Sequence, residues 1–339
     1  MNVEKLTQIA QALVAEGKGI LAIDESGGTI KKRFDLIGLE STEDHRRAYR
    51  EMLLSAPDLG KHVSGAILFD ETLRQSASTG QRFVEMMKAA GVSPGIKVDK
   101  GAQDLAGHPG EKVTEGLDGL RDRMTEYAGL GAEFAKWRAV ITIGETMPTS
   151  ACVEANAHAL ARYAALCQEA DIVPIVEPEV IMNGDHDLDT CYEVTEATLK
   201  SLFSSLYEQG VLLEGTILKA SMVVSGDKCS EQASVQEVAE ATLQCLYNSV
   251  PASTAGVVFL SGGQSEIVAT QHLDMMNRIG PHPWPLTFSY GRALQHGALM
   301  KWGEDISANV GAAQAILSHR ARCNGLAAVG QYDESVEAG

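Results

Sequence analysis

Short apolar runs recur along the chain, and each one ends in a polar or charged residue before a longer amphipathic stretch begins. Runs rich in valine, isoleucine and leucine are typical of parallel strands that are covered on both faces. Eight of these runs predict strands, at Gly19–Asp24, Gly65–Asp70, Gly95–Asp99, Phe134–Val140, Val173–Glu179, Thr216–Ser221, Gly256–Ser261 and Leu286–Ser289. Strands that alternate with helices indicate an α/β protein with a parallel sheet.

Several segments between these strands have helical character, namely Thr42–Leu54, Ala155–Glu169 and Ala233–Tyr247. The first carries a set of charged residues that we expect on its solvent face, Arg46, Arg47, Arg50 and Glu51. Eight strand–helix units favour a single (β/α)8 TIM barrel over residues 1–330, with a doubly wound sheet as the alternative. The polar residues 331–339 are expected to form a short tail, disordered from Tyr332 onward.

The formal net charge of −17 argues against a nucleic-acid partner or an anionic membrane surface. An acidic chain that handles an anionic substrate must gather positive charge locally, which gives a test for any proposed site. The six cysteines form no Cys-x-x-Cys pair, and no basic segment leads into an apolar stretch at the N-terminus. Reduced thiols and the lack of a secretion signal lead us to expect a cytoplasmic protein.

Charged residues inside the predicted strands are the most informative feature of the sequence. Because residues i and i+2 of a strand face the same side, four sets share a face: Lys97 with Asp99, Lys136 with Arg138, Glu177 with Glu179, and Lys219 with Ile217 and Ser221. Asp24 ends the first strand. Ionised groups in apolar strands are costly unless they are paired or used. Since most lie toward the C-terminal ends of their strands, where TIM barrels hold their active sites, we predict one common site.

This set of residues suits covalent catalysis by a lysine. A neutral lysine amine attacks a ketone to give a carbinolamine and then an iminium ion, and burial and neighbouring cations favour the neutral amine. Lys219 is the predicted nucleophile. Glu177 could protonate the hydroxyl that leaves during iminium formation, and Asp24 could accept a proton from the hydroxyl beside the breaking carbon–carbon bond.

Two loops have features of phosphate sites. A Gly-Gly turn follows the seventh predicted strand, at Ser261, Gly262 and Gly263, and its backbone N–H groups can bind an anion. Gly291 and Arg292 follow the eighth strand, and TIM barrels frequently bind phosphate with the loops after these two strands. The predicted mouth contains six basic and four acidic groups, a net +2 that suits a small polyanion: Arg33, Lys97, Lys136, Arg138, Lys219 and Arg292 against Asp24, Asp99, Glu177 and Glu179.

Six stretches resemble the class I, Schiff-base fructose-bisphosphate aldolases: Leu21–Ser26, Gly95–Gly101, Phe134–Arg138, Val173–Glu179, Phe259–Glu266 and Phe288–Leu294. The resemblance runs from about residue 10 to about residue 330. It implies a metal-free lyase on a TIM barrel, usually a homotetramer, that reversibly cleaves fructose 1,6-bisphosphate to dihydroxyacetone phosphate and glyceraldehyde 3-phosphate in glycolysis and gluconeogenesis. It also implies no cofactor beyond the covalent lysine.

The family's residue roles carry over position by position. The Schiff-base lysine falls on Lys219, and the other catalytic positions fall on Asp24, Lys136, Glu177 and Glu179. The positions that contact substrate or phosphate fall on Arg33, Lys97, Arg138, Ser261, Gly262, Gly291 and Arg292. Within these, Arg33 corresponds to a flexible contact for the second phosphate. Ala220 and Ser221 after the lysine, Gly27, and an end at Gly339 without a terminal tyrosine depart from many relatives.

Other interpretations of the sequence are weaker. Asn183–Asp189 resembles a calcium loop, but Thr190 stands where an EF-hand needs glycine, so we interpret it as a solvated loop. The histidines show no His-x-His or His-x-x-x-His pair, which argues against a zinc-dependent aldolase. A Schiff-base lyase for another phosphorylated sugar and a non-catalytic scaffold are the remaining alternatives.

Overall fold

Eight parallel strands close into a barrel in the computed structural model, which describes residues 1–338. The barrel strands are β1 (Gly19–Ile23), β2 (Val63–Leu68), β3 (Ser93–Lys97), β6 (Phe134–Ile141), β7 (Val173–Val180), β8 (Ile217–Ala220), β9 (Gly256–Phe259) and β10 (Leu286–Tyr290). β4 (Ala102–Asp104) and β5 (Lys112–Thr114) form an antiparallel hairpin outside the barrel. Around the barrel each strand pairs with the next one in this sequence, and β10 pairs with β1.

Helices follow most of the barrel strands, and those other than α1 form the outer layer. Their bounds are α1 (Val3–Leu13), α2 (Gly27–Asp35), α3 (Glu43–Leu54), α4 (Asp70–Arg74), α5 (Phe83–Ala89), α6 (Leu120–Leu130), α7 (Ser150–Glu169), α8 (Leu188–Glu208), α9 (Val235–Ser249), α10 (Glu266–Ile279), α11 (Arg292–Glu304) and α12 (Val310–Ala327). Several begin with a side-chain cap: Ser234 forms a complete capping box with Glu237 at the start of α9. No helix within residues 1–338 combines the length and the apolar character that crossing a lipid bilayer requires.

Two apolar clusters account for the core. One fills the barrel interior near the N-terminal ends of the strands, where Leu6 and Leu13 of α1 meet Phe134. Glycine is required beside Phe134, because a Cβ on Gly95 would lie only 2.2 Å from the aromatic ring. The larger cluster lies between the barrel and its helices. Because the inner apolar cluster lies near the N-terminal ends of the strands, polar groups can occupy the barrel at the C-terminal ends.

All eight predicted strands are present, to within two residues at each end, and the closed barrel rules out the doubly wound sheet. The prediction for the solvent face of α3 was wrong at Arg50, which is only 2% exposed, and Arg46, Arg47 and Glu51 are half-buried rather than exposed. The prediction of a disordered tail was also wrong for residues 332–338, of which Glu334–Ala338 form a short 3-10 helix. Tyr332 is buried, its N–H donates to Asp274 at 2.9 Å, and Arg278 donates to its carbonyl. Gly339, the last residue of that tail, lies outside the described residues.

Candidate active site

A cavity of about 500 Å³ opens at the C-terminal ends of the barrel strands. Every residue predicted for the site lines it: Asp24, Arg33, Lys97, Lys136, Arg138, Glu177, Glu179, Lys219, Ser261, Gly262, Gly291 and Arg292. Strand parity explains this convergence, because Lys136 and Arg138 of β6 project to the same side as Glu177 and Glu179 of β7. The residues form one polar site above the apolar interior.

Four charged side chains form a continuous chain across the barrel, three of them buried and the fourth, Asp24, half-buried. The Nζ atom of Lys219 lies 3.1 Å from Oε1 of Glu177, and the Nζ atom of Lys136 lies 3.2 Å from Oε2 of the same carboxylate. Lys136 continues to Asp24, with its Nζ atom 2.7 Å from Oδ2. We call these four residues the buried charge chain. Lys97, Lys136 and Arg138 line the same cavity as Lys219, and the charged group in direct contact with Lys219 is the Glu177 carboxylate.

Electrostatics fix the protonation of most of this chain at neutral pH. Burial raises the pKa of Asp24, but Lys136 and Lys219 lower it more, and the net pKa is well below the ordinary value. Burial likewise raises the pKa of Glu177, while Lys136, Lys219 and Arg138 bring it below its ordinary value. Burial lowers the pKa of Lys136, but Asp24 and Glu177 raise it above the ordinary lysine value. Lys136 is therefore a fixed cation, and Lys219, which contacts a single carboxylate, is the better candidate nucleophile.

Two further ion pairs flank the buried charge chain. Lys97 Nζ lies 2.8 Å from Oδ1 of Asp99, whose other oxygen accepts from the backbone N–H of Arg138 at 3.3 Å. The Arg138 guanidinium donates to Glu179. Burial lowers the pKa of Arg138 and Glu179 raises it, with a net increase. These pairs place fixed charges around the space that a substrate would occupy.

The two predicted phosphate loops lie at the starts of helices α10 and α11. Gly262 and Gly263 have φ values of +57° and +109°, a backbone region that favours glycine. A Cβ added to Gly263 would lie 3.5 Å from an Arg292 nitrogen, so the guanidinium is next to the Gly-Gly turn. Ser265 caps α10, and Gly291 precedes the first residue of α11. Backbone N–H groups at helix N-termini beside an arginine make an anion site.

Arg33 is held by a carboxylate to which the sequence analysis gave no role. Its Nη1 atom lies 2.8 Å from Oε1 of Glu25, and its Nη2 atom would be 3.5 Å from a Cβ on Gly291. Glu25 also lines the cavity, so the lining holds six basic and five acidic groups, a net +1 rather than the predicted +2. The feature of the sequence that could have pointed to Glu25 as a site residue is its position directly after Asp24.

Other cavity residues were also missed by the sequence analysis: Ser26, Thr29, Asn183 and Ser289. Asn183 belongs to the loop that we interpreted as solvated, and that interpretation was incomplete. Its Nδ2 donates to Asp227 at 2.7 Å, and His186 in the same loop is 9% exposed. Asp187 caps the N-terminus of α8, so the end of this loop is the beginning of that helix.

Comparison with known proteins agrees with this geometry. The family model described as fructose-bisphosphate aldolase class-I matches residues 5–339. A probable fructose-bisphosphate aldolase class 1 of Xanthomonas campestris is 64% identical over 98% of this chain and 99% of its own. Fructose-bisphosphate aldolase 1 of Toxoplasma gondii is 50% identical over 97% and 91%.

A solved structure of similar fold supports the same assignment. It contains the fructose-bisphosphate aldolase of Plasmodium falciparum in complex with TRAP and a small-molecule inhibitor. It superposes with a TM-score of 0.96 at 48% identity, over 97% of this chain and 95% of that one. The chain belongs to the class I fructose-bisphosphate aldolase family.

Proposed function

We propose that Lys219 forms the Schiff base in the family's reaction, the reversible cleavage of fructose 1,6-bisphosphate to dihydroxyacetone phosphate and glyceraldehyde 3-phosphate. The observation that carries this proposal is the buried charge chain, in which Lys219 contacts one carboxylate and Lys136 lies between two. Glu177 supplies Lys219 with a neighbouring base, and the basic residues Lys97, Lys136 and Arg138 line the same cavity.

Schiff-base formation uses both the amine of Lys219 and the carboxylate of Glu177 that contacts it. The Glu177 carboxylate accepts a proton from the lysine, and the free amine attacks the C2 carbonyl of the substrate. The resulting carbinolamine loses its hydroxyl as water, with the proton returned by Glu177, and an iminium ion remains. Lys136 holds Glu177 in position and stabilises its carboxylate before the first proton transfer and after the second.

Carbon–carbon cleavage takes place beside Asp24. Asp24 accepts the proton of the C4 hydroxyl, the C3–C4 bond breaks, and its electron pair moves into the iminium to give an enamine. The C4 carbonyl leaves with glyceraldehyde 3-phosphate. Protonation of the enamine and hydrolysis then release dihydroxyacetone phosphate and free Lys219. We assign Glu179 as a further acid–base group. Arg138 and Lys97 are the proposed contacts for substrate oxygens.

The substrate class can be tested at the phosphate loops. Arg292→Gln removes the guanidinium beside the Gly-Gly turn, and we expect the KM for fructose 1,6-bisphosphate to rise about 10- to 100-fold, the effect of losing a charge-assisted hydrogen bond of about 1.5–3 kcal/mol. Steady-state cleavage assays measure this, with exposed Arg121→Gln as the matched control. If the variant keeps the native KM, or if unphosphorylated fructose is cleaved equally well, the assignment of phosphate to this loop is wrong.

We also propose that the reaction needs no metal, since the iminium ion supplies the electron sink. Within residues 1–338, one group of potential metal ligands lies together, at His319, Cys323 and Glu337, and none of the three lines the cavity. We therefore expect dialysis against EDTA to leave kcat and KM within about twofold, with borohydride sensitivity retained. A loss of activity that zinc or another divalent ion restores would contradict the proposal.

Three further properties of the enzyme are its oligomeric state, its cellular location and its class of substrate. We propose a cytoplasmic homotetramer that contains one barrel domain per chain and acts on small phosphorylated sugars rather than on nucleic acid. The support is the net charge of −17, which disfavours nucleic acid as a partner, and the tetrameric state that the family resemblance implies.

A further inference from the structure

We propose that Arg50 is a positioning residue that acts through Glu25 to keep the Arg33 guanidinium available to a substrate phosphate. The inference rests on the proposed function, in which Arg33 contacts phosphate. Arg50 lies on α3, outside the cavity, and it is the residue whose burial contradicted the pattern of that helix.

Glu25 is shared between two arginines, one at each of its carboxylate oxygens. Arg33 approaches Oε1 at 2.8 Å from the cavity side, and Arg50 approaches Oε2 at 2.7 Å from behind. The Nε2 atom of Gln295 donates to Oε1 at 3.1 Å and to the carbonyl of Ala22 at 2.6 Å. The carboxylate is thus fixed from three directions, and only Arg33 among its charged partners reaches the cavity.

The balance of charge between the two arginines and Glu25 determines how much positive charge Arg33 presents to the cavity. Two guanidinium groups face one carboxylate, so the cluster carries a net +1 charge. With Arg33 alone, the buried carboxylate would form a neutral pair that neutralises the guanidinium and holds it tightly. Arg50 offsets the charge of Glu25 from behind. Arg33 therefore keeps both its position and an uncompensated positive charge toward the cavity.

Apart from Glu25, the group that favours a positive charge at Arg50 is the ring of Tyr49, its neighbour on the same helix, and that ring does not connect Arg50 to the cavity. Two of its nitrogens, Nε and Nη1, are buried without a hydrogen-bond partner, and its guanidinium lies 5.6 Å from the ring centre of Tyr49. Glu25 is the one carboxylate that pairs with it among the described residues. A purely structural role, in which Arg50 only holds α3 against the barrel, makes a different prediction for the variants below.

The test is a set of variants assayed with fructose 1,6-bisphosphate. Arg50→Gln should raise KM about tenfold and leave kcat within about twofold, because one charge-assisted phosphate contact weakens while the buried charge chain is untouched. Adding Glu25→Gln should restore KM to within about twofold of the native value, because Arg33 is then released from the carboxylate. In an Arg33→Gln background, Arg50→Gln should have no further effect on KM.

Controls separate this role from folding and from the proposed function. Arg47→Gln on the same helix should behave as native, and Arg50→Lys should recover most of the native KM. If Arg50→Gln does not fold, the test compares the Glu25→Gln single variant with the double variant that also carries Arg50→Gln. We expect these two variants to have the same KM, because Arg50 acts only through Glu25. A KM increase that persists without Glu25, or a fall in kcat alone, overturns the inference. If Arg33→Gln itself leaves KM unchanged while cleavage proceeds, the role of Arg33 fails and the Schiff-base mechanism stands.

Discussion

Replacing Lys219 by methionine should lower kcat for fructose 1,6-bisphosphate cleavage by about 10⁴-fold or more, as expected when a covalent nucleophile is removed. Methionine keeps most of the side-chain volume but has no amine to attack the substrate carbonyl. Lys136 cannot substitute, because Asp24 and Glu177 hold it as a cation on both sides. Coupled assays of triose phosphate release measure the effect.

The control for this variant is Lys228→Met. Lys228 is exposed in the loop after the same strand and does not line the cavity, so it should keep native kinetics. Residual activity of Lys219→Met above about one per cent of native would mean that another group forms the covalent intermediate, given the loss expected for a nucleophile.

Asp24→Asn should have the second-largest effect, a loss of about 10² to 10⁴ in kcat, the usual contribution of general acid–base catalysis. The amide keeps the shape of the carboxylate and can still contact Lys136, but it cannot accept the proton of the C4 hydroxyl. Schiff-base formation does not need that proton transfer. Rapid-quench measurements should therefore show that the variant forms the adduct with substrate and accumulates it before cleavage.

The matched control is Asp35→Asn, at the exposed end of α2, which should cleave at the native rate. Normal turnover by Asp24→Asn would refute the role of Asp24 as the base. A variant that neither cleaves nor forms the adduct would assign Asp24 to Schiff-base formation instead, a step that the proposed mechanism gives to Glu177.

The barrel and its central residues could be predicted because two local rules apply to them. Apolar runs with both faces covered identify parallel strands, and strand parity places Lys136 and Arg138 on one face. The C-terminal ends of these strands then bring the charges together. Each step uses residues within a few positions of one another, so the sequence alone carries the information.

Contacts between distant segments explain what was missed. The local pattern of α3 assigns Arg50 to its solvent face, but the partner of Arg50 is Glu25, 25 positions earlier, and no local pattern connects the two. The burial of Tyr332 depends on Asp274 and Arg278 of α10. In the short hairpin, β4 is exposed and Thr114 is the one buried residue of β5, so these strands carry little apolar signal.

The central claim is that Lys219 forms a Schiff base with the substrate, and intact-mass analysis after borohydride reduction in the presence of dihydroxyacetone phosphate tests it most directly. We expect one reduced adduct per chain, located by peptide mapping at Lys219 and absent from Lys219→Met. A folded native protein that gives no adduct, or one whose adduct maps to Lys136 or another lysine, would contradict the mechanism.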